Sequence, residues 1–228
     1  MSTYRARPGS GVVRCWWEQR AGADGRVQRV VPDGCSDLVV FDDGEAIFVG
    51  PALDVALVPL PPGAHLRGLR LRTEALGPVL RLPAHELAGA TVPVSEVLPE
   101  RLARLAVEQV WEGVLPEPLR KSSADPRVTH AVRRLWSGGT TVAAVADELG
   151  VADRHLRRLF LDHTGMTPKA VHRVGRFQRF LHAADTTRVS LADLAADAGF
   201  ADQAHLAREV RALAGLPPRD LLRERRGD

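Results

Sequence analysis

Short apolar runs alternate with turn signals over the first seventy residues. The runs read "VVRCWWEQ", "RVQRVV", "LVVF" and "AIFVG", and clusters containing Gly, Asp or Pro separate them. Runs of this length that are rich in branched and aromatic residues predict β-strands, and Asp43-Gly44 is a dipeptide that favours a tight hairpin turn. Trp16 and Trp17 are expected on opposite faces of their strand. The pattern predicts a small antiparallel sandwich or open barrel.

The hydrophobic period changes from two to helical between Thr73 and Leu115. The residues at helical spacing include Leu98, Leu102, Leu105 and Val110. Pro99 is compatible with a helix there because the first turn does not need its missing N–H group. The pattern predicts helices that pack either on the preceding sheet or against a second copy of the chain.

The segment "LPEPLRKSSADP" interrupts both patterns with Pro, Ser and charged residues. Segments of this composition are typical of linkers between domains. We therefore place a domain boundary near residues 116–126, which divides the chain into residues 1–120 and residues 121–228.

After Pro126 the pattern is helical throughout and contains an internal repeat. The stretch "VAAVADELGVADRHLRRLFLDHTGMTP" aligns with "SLADLAADAGFADQAHLAREVRALAGLPP". Each copy has an Ala-rich helix ending in Gly, a short turn, a basic helix and a Gly-x-x-Pro ending. A period of about fifty residues predicts two tandem supersecondary units.

Both copies carry the small and apolar residues that a helix-turn-helix unit needs. Ala146 allows the two helices to approach closely, and Gly150 supplies the tight turn. The set in the first copy is Val145, Ala146, Leu149, Gly150, Val151, Leu156 and Leu159, and the set in the second copy is Leu194, Ala195, Gly199, Phe200, Leu206 and Val210. The spacing predicts that Leu206 and Val210 face inward while Gln203 and Arg208 face outward.

The two units, with "HLRRLFLDHTGMTP" and "GFADQAHLAREVRALAGLPP", resemble the DNA-binding domain of AraC/XylS-type transcription regulators over roughly residues 127–226. The stretch "VVPDGCSDLVVF" resembles the β-domain of a group of uncharacterised AraC-like regulators. The resemblance implies an α+β protein: a β-rich, cupin-like or small-barrel domain with helices, then an all-α domain of two helix-turn-helix units joined by a linker helix at 168–184. It also implies that the first domain senses a ligand or dimerises.

The same resemblance implies that residues 153–162 form the first recognition helix, which enters the major groove by its N-terminal part. The DNA-binding residues that it implies are Arg154, His155, Arg157 and Arg158 in the first unit, and Gln203, His205 and Arg208 in the second. Arginine suits this role because its planar fork can bind guanine or clamp a phosphate. For each arginine, phosphate and base contacts both remain open, and His155 and His205 are alternatively partly buried. Asp202 is a candidate N-cap, whereas Ala152 stands where the family usually has a capping Ser.

Charge is distributed unevenly between the two parts of the chain. Residues 121–228 contain 18 Lys and Arg against 13 Asp and Glu, a net charge of +5, and residues 1–120 contain 13 against 15, a net charge of −2. A basic second part favours a polyanionic partner such as double-stranded DNA.

The remaining chemistry argues against an enzyme, because no catalytic triad, phosphate-binding loop or paired-carboxylate motif stands out. Cys15 and Cys35 are too few for a disulfide framework and are expected as reduced, buried thiols. An alternative is an alkylation- or thiol-responsive regulator or repair protein that uses one of them, and a second is a module whose basic helices bind protein. His65 and His85 lack the His-x-His spacing of metal-binding cupins, so no metal or cofactor is predicted.

No apolar run approaches the roughly 18 residues that a membrane span requires, and no signal peptide is evident at the start. We therefore predict a cytoplasmic protein without a membrane partner. An unknown small-molecule effector and RNA polymerase are further possible partners, and both a monomer and a homodimer remain open.

Overall fold

The computed structural model describes residues 2–226, and their first part is a β-rich domain with short helices. The strands are β1 (Thr3–Pro8), β2 (Val13–Arg20), β3 (Arg26–Val30), β4 (Ser36–Phe41), β5 (Ala46–Val49), β6 (Ala56–Leu60), β7 (His65–Leu71) and β8 (Thr91–Pro93). The helices are α1 (Leu76–Leu80), α2 (Val94–Val97), α3 (Glu100–Trp111) and α4 (Glu117–Arg120), with a 3₁₀ turn at Ala84–Leu87. The strands predicted from the apolar runs are β2 to β5.

Six strands form the main sheet in the order β1-β2-β7-β4-β5-β8, and each neighbouring pair is antiparallel. Strands β3 and β6 pair separately as a two-stranded ribbon. Within residues 2–226 the main sheet is open, because β1 and β8 each have a strand on one side only.

The two faces of the main sheet bury separate apolar clusters. Leu38 and Phe48 belong to the cluster beneath the helices, whereas Val39 packs with residues of the ribbon side. Successive side chains of a strand point to opposite faces of the sheet, so the neighbours Leu38 and Val39 belong to different clusters. Trp16 and Trp17 pack on opposite clusters, as their adjacency predicted.

Helix α3 packs on strands β7 and β4 of its own chain, which is one of the two packing partners that the sequence left open. Its buried line is Ala103, Ala106 and Val110, whereas Leu102 and Leu105 are only partly buried. The helix is therefore rotated from the orientation that its leucines indicated. The two alanines let it lie close to the sheet.

The second part is entirely helical between Pro126 and Arg226. Its elements are α5 (Pro126–Ser137), α6 (Val142–Glu148), α7 (Asp153–Thr164), α8 (Pro168–Thr186), α9 (Leu191–Ala198), α10 (Gln203–Ala214) and α11 (Pro218–Arg226). Two clusters form its core, and α8 contributes Val171 to the first and both Phe177 and Phe180 to the second. The α+β organisation and the linker helix expected from the sequence are thus confirmed.

The β-rich part contacts the first helical unit through close backbone approaches. A Cβ atom added to Gly77 of α1 would lie 2.0 Å from the carbonyl oxygen of Asp162 in α7. A Cβ atom on Gly34, before β4, would lie 2.9 Å from the indole of Trp136. Glycine at both positions allows the two parts of the chain to touch.

The β-rich part also contacts the linker helix and the second unit. Gln178 of α8 donates its side-chain N–H to the carbonyl oxygen of Pro32 at 2.6 Å. Arg29 of β3 donates to the carbonyl oxygen of Ala214 at 2.9 Å and forms an ion pair with Glu224 at 2.9 Å. One domain therefore contacts both helical units and the helix between them.

No helix within residues 2–226 combines the length and apolar character needed to cross a bilayer. In the same residues, no group of three or more His, Cys, Asp or Glu side chains is arranged to hold a metal ion.

Candidate nucleic-acid interface

The first helix-turn-helix unit consists of α6, a four-residue connection and α7. Val145 and Leu156 are fully buried where the helices cross, and the small Ala146 lies beside them. Gly150 in the connection has a φ of 63°, a left-handed conformation that glycine adopts without a steric cost. The residues chosen from the sequence pattern therefore form the core and turn of this unit.

The second unit, α9 and α10, repeats this construction. Ser190 and Asp193 form a capping box at the start of α9, and Gly199 ends the helix with a φ of 83°. Leu206 and Val210 are fully buried on one face of α10, as their spacing of four predicted.

The solvent-facing side of α7 is basic. Arg154, Arg157 and Arg158 are exposed on the side opposite the buried Leu156. Arg158 donates to Nδ1 of the half-buried His155 at 3.2 Å. Within residues 2–226 none of these three arginines forms an ion pair, so no carboxylate of the described chain neutralises their charge.

Helix α10 presents a smaller polar face. Gln203 and Arg208 are exposed, as predicted, whereas His205 is half buried. The His205 ring packs edge-on against Phe200 with 5.4 Å between the ring centroids, and its Nδ1 lies 3.4 Å from the backbone N–H of Ala201. His205 thus supports the turn before α10 as well as lying on the outward side.

The two recognition helices begin differently. The Asp202 carboxylate accepts the backbone N–H of His205 at 2.6 Å and caps α10, whereas Ala152 offers α7 no side-chain acceptor. A surface depression of about 330 Å³ lies at this uncapped end, lined by Ala152, Arg154, His155 and Arg158. The first N–H groups of a helix have no intrahelical partners and, with Arg154 and Arg158, make the start of α7 favourable to an anion, while Asp153 in the first turn offsets part of this positive charge.

Comparison with known proteins finds one matching family model within each part of the chain. Residues 145–224 match the family described as "Helix-turn-helix domain", and residues 10–93 match "Domain of unknown function (DUF6597)". The carboxyl-terminal part is an AraC-type helix-turn-helix domain. A DNA-binding transcription regulator is the function that such a domain indicates.

Solved structures with a similar arrangement are distant from this chain. The C-terminal domain of AraT, a response regulator from Geobacillus stearothermophilus, is 18% identical, covers 44% of this chain and 86% of its own, and has a TM-score of 0.42. Apo ToxT from Vibrio cholerae is 10% identical, with 95% and 98% coverage and a TM-score of 0.45. Fatty-acid-bound ToxT is 9% identical, with 96% and 95% coverage and a TM-score of 0.45. No curated protein matches the chain.

Arginines of α8 connect the two units of the AraC-type domain, a role that the sequence analysis did not assign. Arg179 donates to the carbonyl oxygen of Trp136 at the end of α5 and, at 3.0 Å, to that of Ala198 at the end of α9. Arg173 pairs with Glu209 of α10 at 2.6 Å. The linker helix therefore holds the units by side-chain bonds in addition to apolar packing. The clue in the sequence was the arginine spacing of "HRVGRFQR".

Gly175, an unexpected residue inside the linker helix, has a packing role in the AraC-type domain. It is buried, and an added Cβ atom would lie 3.2 Å from Cα of Trp136. The glycine lowers the helix propensity of α8 by about 1 kcal/mol but lets α5 approach it closely.

The two cysteines lie outside the AraC-type domain, in the β-rich part of the chain. Burial raises the pKa of Cys35 to about 12 and also raises the pKa of the half-buried Cys15. Arg14 donates to Sγ of Cys35 at 3.0 Å. Because the thiolate is the nucleophilic form, these thiols are poorly suited to accept an alkyl group at neutral pH.

Proposed function

We propose that this chain is a sequence-specific transcription regulator whose helices α7 and α10 enter neighbouring major-groove segments of one face of duplex DNA. The observation that carries the proposal is the repetition of one arrangement, a buried helix-turn-helix core with a polar outward face on the second helix. Solvated arginines on a single helix are common. Two such helices in matching positions of tandem units favour a DNA-binding role.

We assign the contacts to the seven outward or half-outward residues of the two helices. They are Arg154, His155, Arg157, Arg158, Gln203, His205 and Arg208. Phosphate contacts supply most of the affinity and make it salt-dependent, and a few side chains read bases. The uncapped start of α7 is suited to a phosphate because unpaired N–H groups and two arginines converge there.

We further propose that residues 1–120 form a regulatory domain and residues 121–228 the DNA-binding domain. The β-rich part touches both units through Gly77, Gln178 and Arg29 contacts. A ligand that binds one docked arrangement more tightly than another would shift the fraction of DNA-competent molecules. This is the route by which an effector would act on the recognition helices.

The test is selection of bound sequences from a pool of randomised duplexes, followed by sequencing. We expect the wild type to enrich two short elements about 10 base pairs apart, the spacing of one helical turn. The Arg157→Ala/Arg208→Ala variant should lose this enrichment. Arg101→Ala/Arg120→Ala removes two exposed arginines of the β-rich part and should retain it.

Enrichment of no motif by folded wild-type protein, or retention of the motif by the first double variant, contradicts the proposal. Binding of a protein target at high salt without retention of DNA at low salt would favour the protein-interaction alternative.

A further inference from the structure

A surface cavity of about 320 Å³, open to solvent, lies between the β-rich part and helix α5. The strand-side wall includes Arg14 and Arg72, and the helix-side wall includes Val132, Arg133 and Trp136. The cavity is therefore made by both parts of the chain, and neither part forms it alone. Its volume is at the small end of the range for ligand pockets.

Three arginines approach this cavity with unused donors. Arg72 uses its Nε to donate to the carbonyl oxygen of Gly11 at 2.8 Å, and Arg14 uses one Nη to donate to Sγ of Cys35. Among residues 2–226, the Arg133 guanidinium has no hydrogen-bond partner, and none of the three arginines forms an ion pair. Each side chain carries five N–H donors, so most remain free for a ligand.

The charge balance of the lining is positive. Glu74 is the carboxylate in the lining, against the three arginines. Cys35 does not neutralise Arg14, because burial raises its pKa to about 12 and leaves it a neutral thiol at pH 7. Guanidinium groups match the geometry of carboxylates and phosphates, which they bind through paired N–H donors.

The helix-side wall carries the apolar residues of the cavity, Val132 and Trp136, beside Arg133, and it belongs to helix α5. Val132 is buried, and Trp136 lies beside Arg14, with 5.9 Å between the guanidinium carbon and the ring centroid. The backbone carbonyl of Trp136 accepts from Arg179 of the linker helix. A ligand on Trp136 would thus contact the helix that α8 holds against the second unit.

We propose that this interdomain cavity binds a small organic anion, whose carboxylate or phosphate lies among Arg14, Arg72 and Arg133 and whose apolar body packs on Trp136 and Val132. The inference rests on the proposed function and names the chemical class and the place of its effector. A bound anion joins the two walls, stabilises the docked arrangement and, because that arrangement leaves both recognition faces exposed, tightens DNA binding.

Titration calorimetry of the full chain with benzoate and with phenyl phosphate tests the site. We expect at least one of them to bind, and the preferred probe distinguishes a carboxylate from a phosphate ester. Benzyl alcohol has the ring without the charge and should not bind. Equal binding of benzyl alcohol overturns the assignment of an anion site, and binding of neither anion overturns the proposal.

Arg133→Gln is the decisive variant because Arg133 is exposed and its side chain makes no hydrogen bond in the described chain. We expect it to weaken binding of the preferred probe by about tenfold or more, the usual contribution of a charge-assisted hydrogen bond. Arg101→Gln removes an exposed arginine that does not line this cavity and should bind as the wild type does. Unchanged binding by Arg133→Gln overturns the proposal.

DNA affinity measured with and without the preferred probe separates this inference from the proposed function. We expect the probe to tighten wild-type binding to the selected duplex by about fivefold or more, and to leave Arg133→Gln unaffected. Specific DNA binding without any response to a bound probe overturns the effector role and leaves the regulator intact. Probe binding without specific DNA binding supports the anion site while contradicting the proposed function.

Discussion

Arg179 reaches from the linker helix to the carbonyl oxygen of Ala198 at 3.0 Å, and its other Nη donates to the carbonyl oxygen of Trp136. Trp136 lies in the last turn of α5, which packs on the first helix-turn-helix unit, and Ala198 is the last residue of α9 in the second unit. One guanidinium therefore joins the carboxyl-terminal turns of two helices and fixes the second unit relative to the helix that packs on the first. Burial and the neighbouring Arg176 lower the pKa of Arg179.

Arg179→Met should reduce both stability and discrimination between operator spacings. Losing two hydrogen bonds from a charged donor costs about 2 kcal/mol in the free energy of unfolding, and the freed units should tolerate altered spacing between the two DNA elements. Urea unfolding and binding to duplexes with the elements moved by one base pair measure these effects. Lys169→Met, on an exposed position of the same helix, is the control. Wild-type spacing preference in Arg179→Met would refute the bridging role.

Under the proposed function, Arg157→Ala and Arg208→Ala should each weaken binding to the selected duplex by about 1–3 kcal/mol if the removed guanidinium reads a base. Fluorescence anisotropy at two salt concentrations measures the loss. We expect the affinity of both variants for unrelated duplex DNA to differ little from that of the wild type. Equal losses on both duplexes would identify a phosphate contact, and unchanged affinity in both variants would rule out these helices as DNA readers.

The unequal caps of the recognition helices predict opposite effects of two substitutions. Asp202→Ala should lower the free energy of unfolding by about 1 kcal/mol because it leaves an N–H group of α10 without its acceptor. Ala152→Ser should raise stability by up to about 1 kcal/mol, since it supplies the missing cap of α7. Asp197→Ala, an exposed acidic residue near the end of α9, should not destabilise the protein. Thermal unfolding of the three variants decides whether the caps act as described.

Gly77→Ala should disrupt docking between the β-rich part and α7. The added methyl carbon would lie 2.0 Å from the carbonyl oxygen of Asp162, closer than any van der Waals contact allows, so the elements must move apart. We expect a lower Tm and faster proteolysis near residues 116–126. Glu86→Ala, on the exposed side of the neighbouring 3₁₀ turn, should behave as the wild type does. A wild-type Tm for Gly77→Ala would show that this contact is not required.

Cys35 should resist alkylation in the folded protein. Its folded pKa of about 12 lies above the ordinary value of 9.0, so its burial as a neutral thiol contributes stability that is complete below pH 9 and is lost as the pH rises toward 12. Mass spectrometry after iodoacetamide treatment at pH 7.5 should show modification of Cys35 only in denaturant. The free energy of unfolding of Cys35→Ser should therefore not show the fall above pH 9 that ionisation of this thiol causes in the wild type. Rapid labelling or methyl transfer to native Cys35 would revive the thiol-responsive alternative.

The first strand shows where the sequence pattern failed. All six residues of β1 are exposed and include no run of branched apolar residues like those of β2, β4 and β5, so the strand forms by pairing with the edge of β2. Helix α4, within the predicted linker, was missed for a related reason. Its buried Leu119 is a single apolar residue among prolines and charged residues. Helix α4 forms because Leu119 packs on the apolar cluster that contains Leu38 and Phe48.

The sequence by itself determined the tandem helix-turn-helix units, because helical spacing, small residues at crossings and glycines at turns are local requirements that a repeat displays twice. It also determined which side of α10 faces outward, with Leu206 and Val210 buried and Gln203 and Arg208 exposed. Only the tertiary structure decided what Arg179 and Arg14 bind, because their partners lie 43 and 21 positions away along the chain. The tertiary structure likewise creates the interdomain cavity. Its walls are distant in sequence, and only the packing of the two parts brings their charges together.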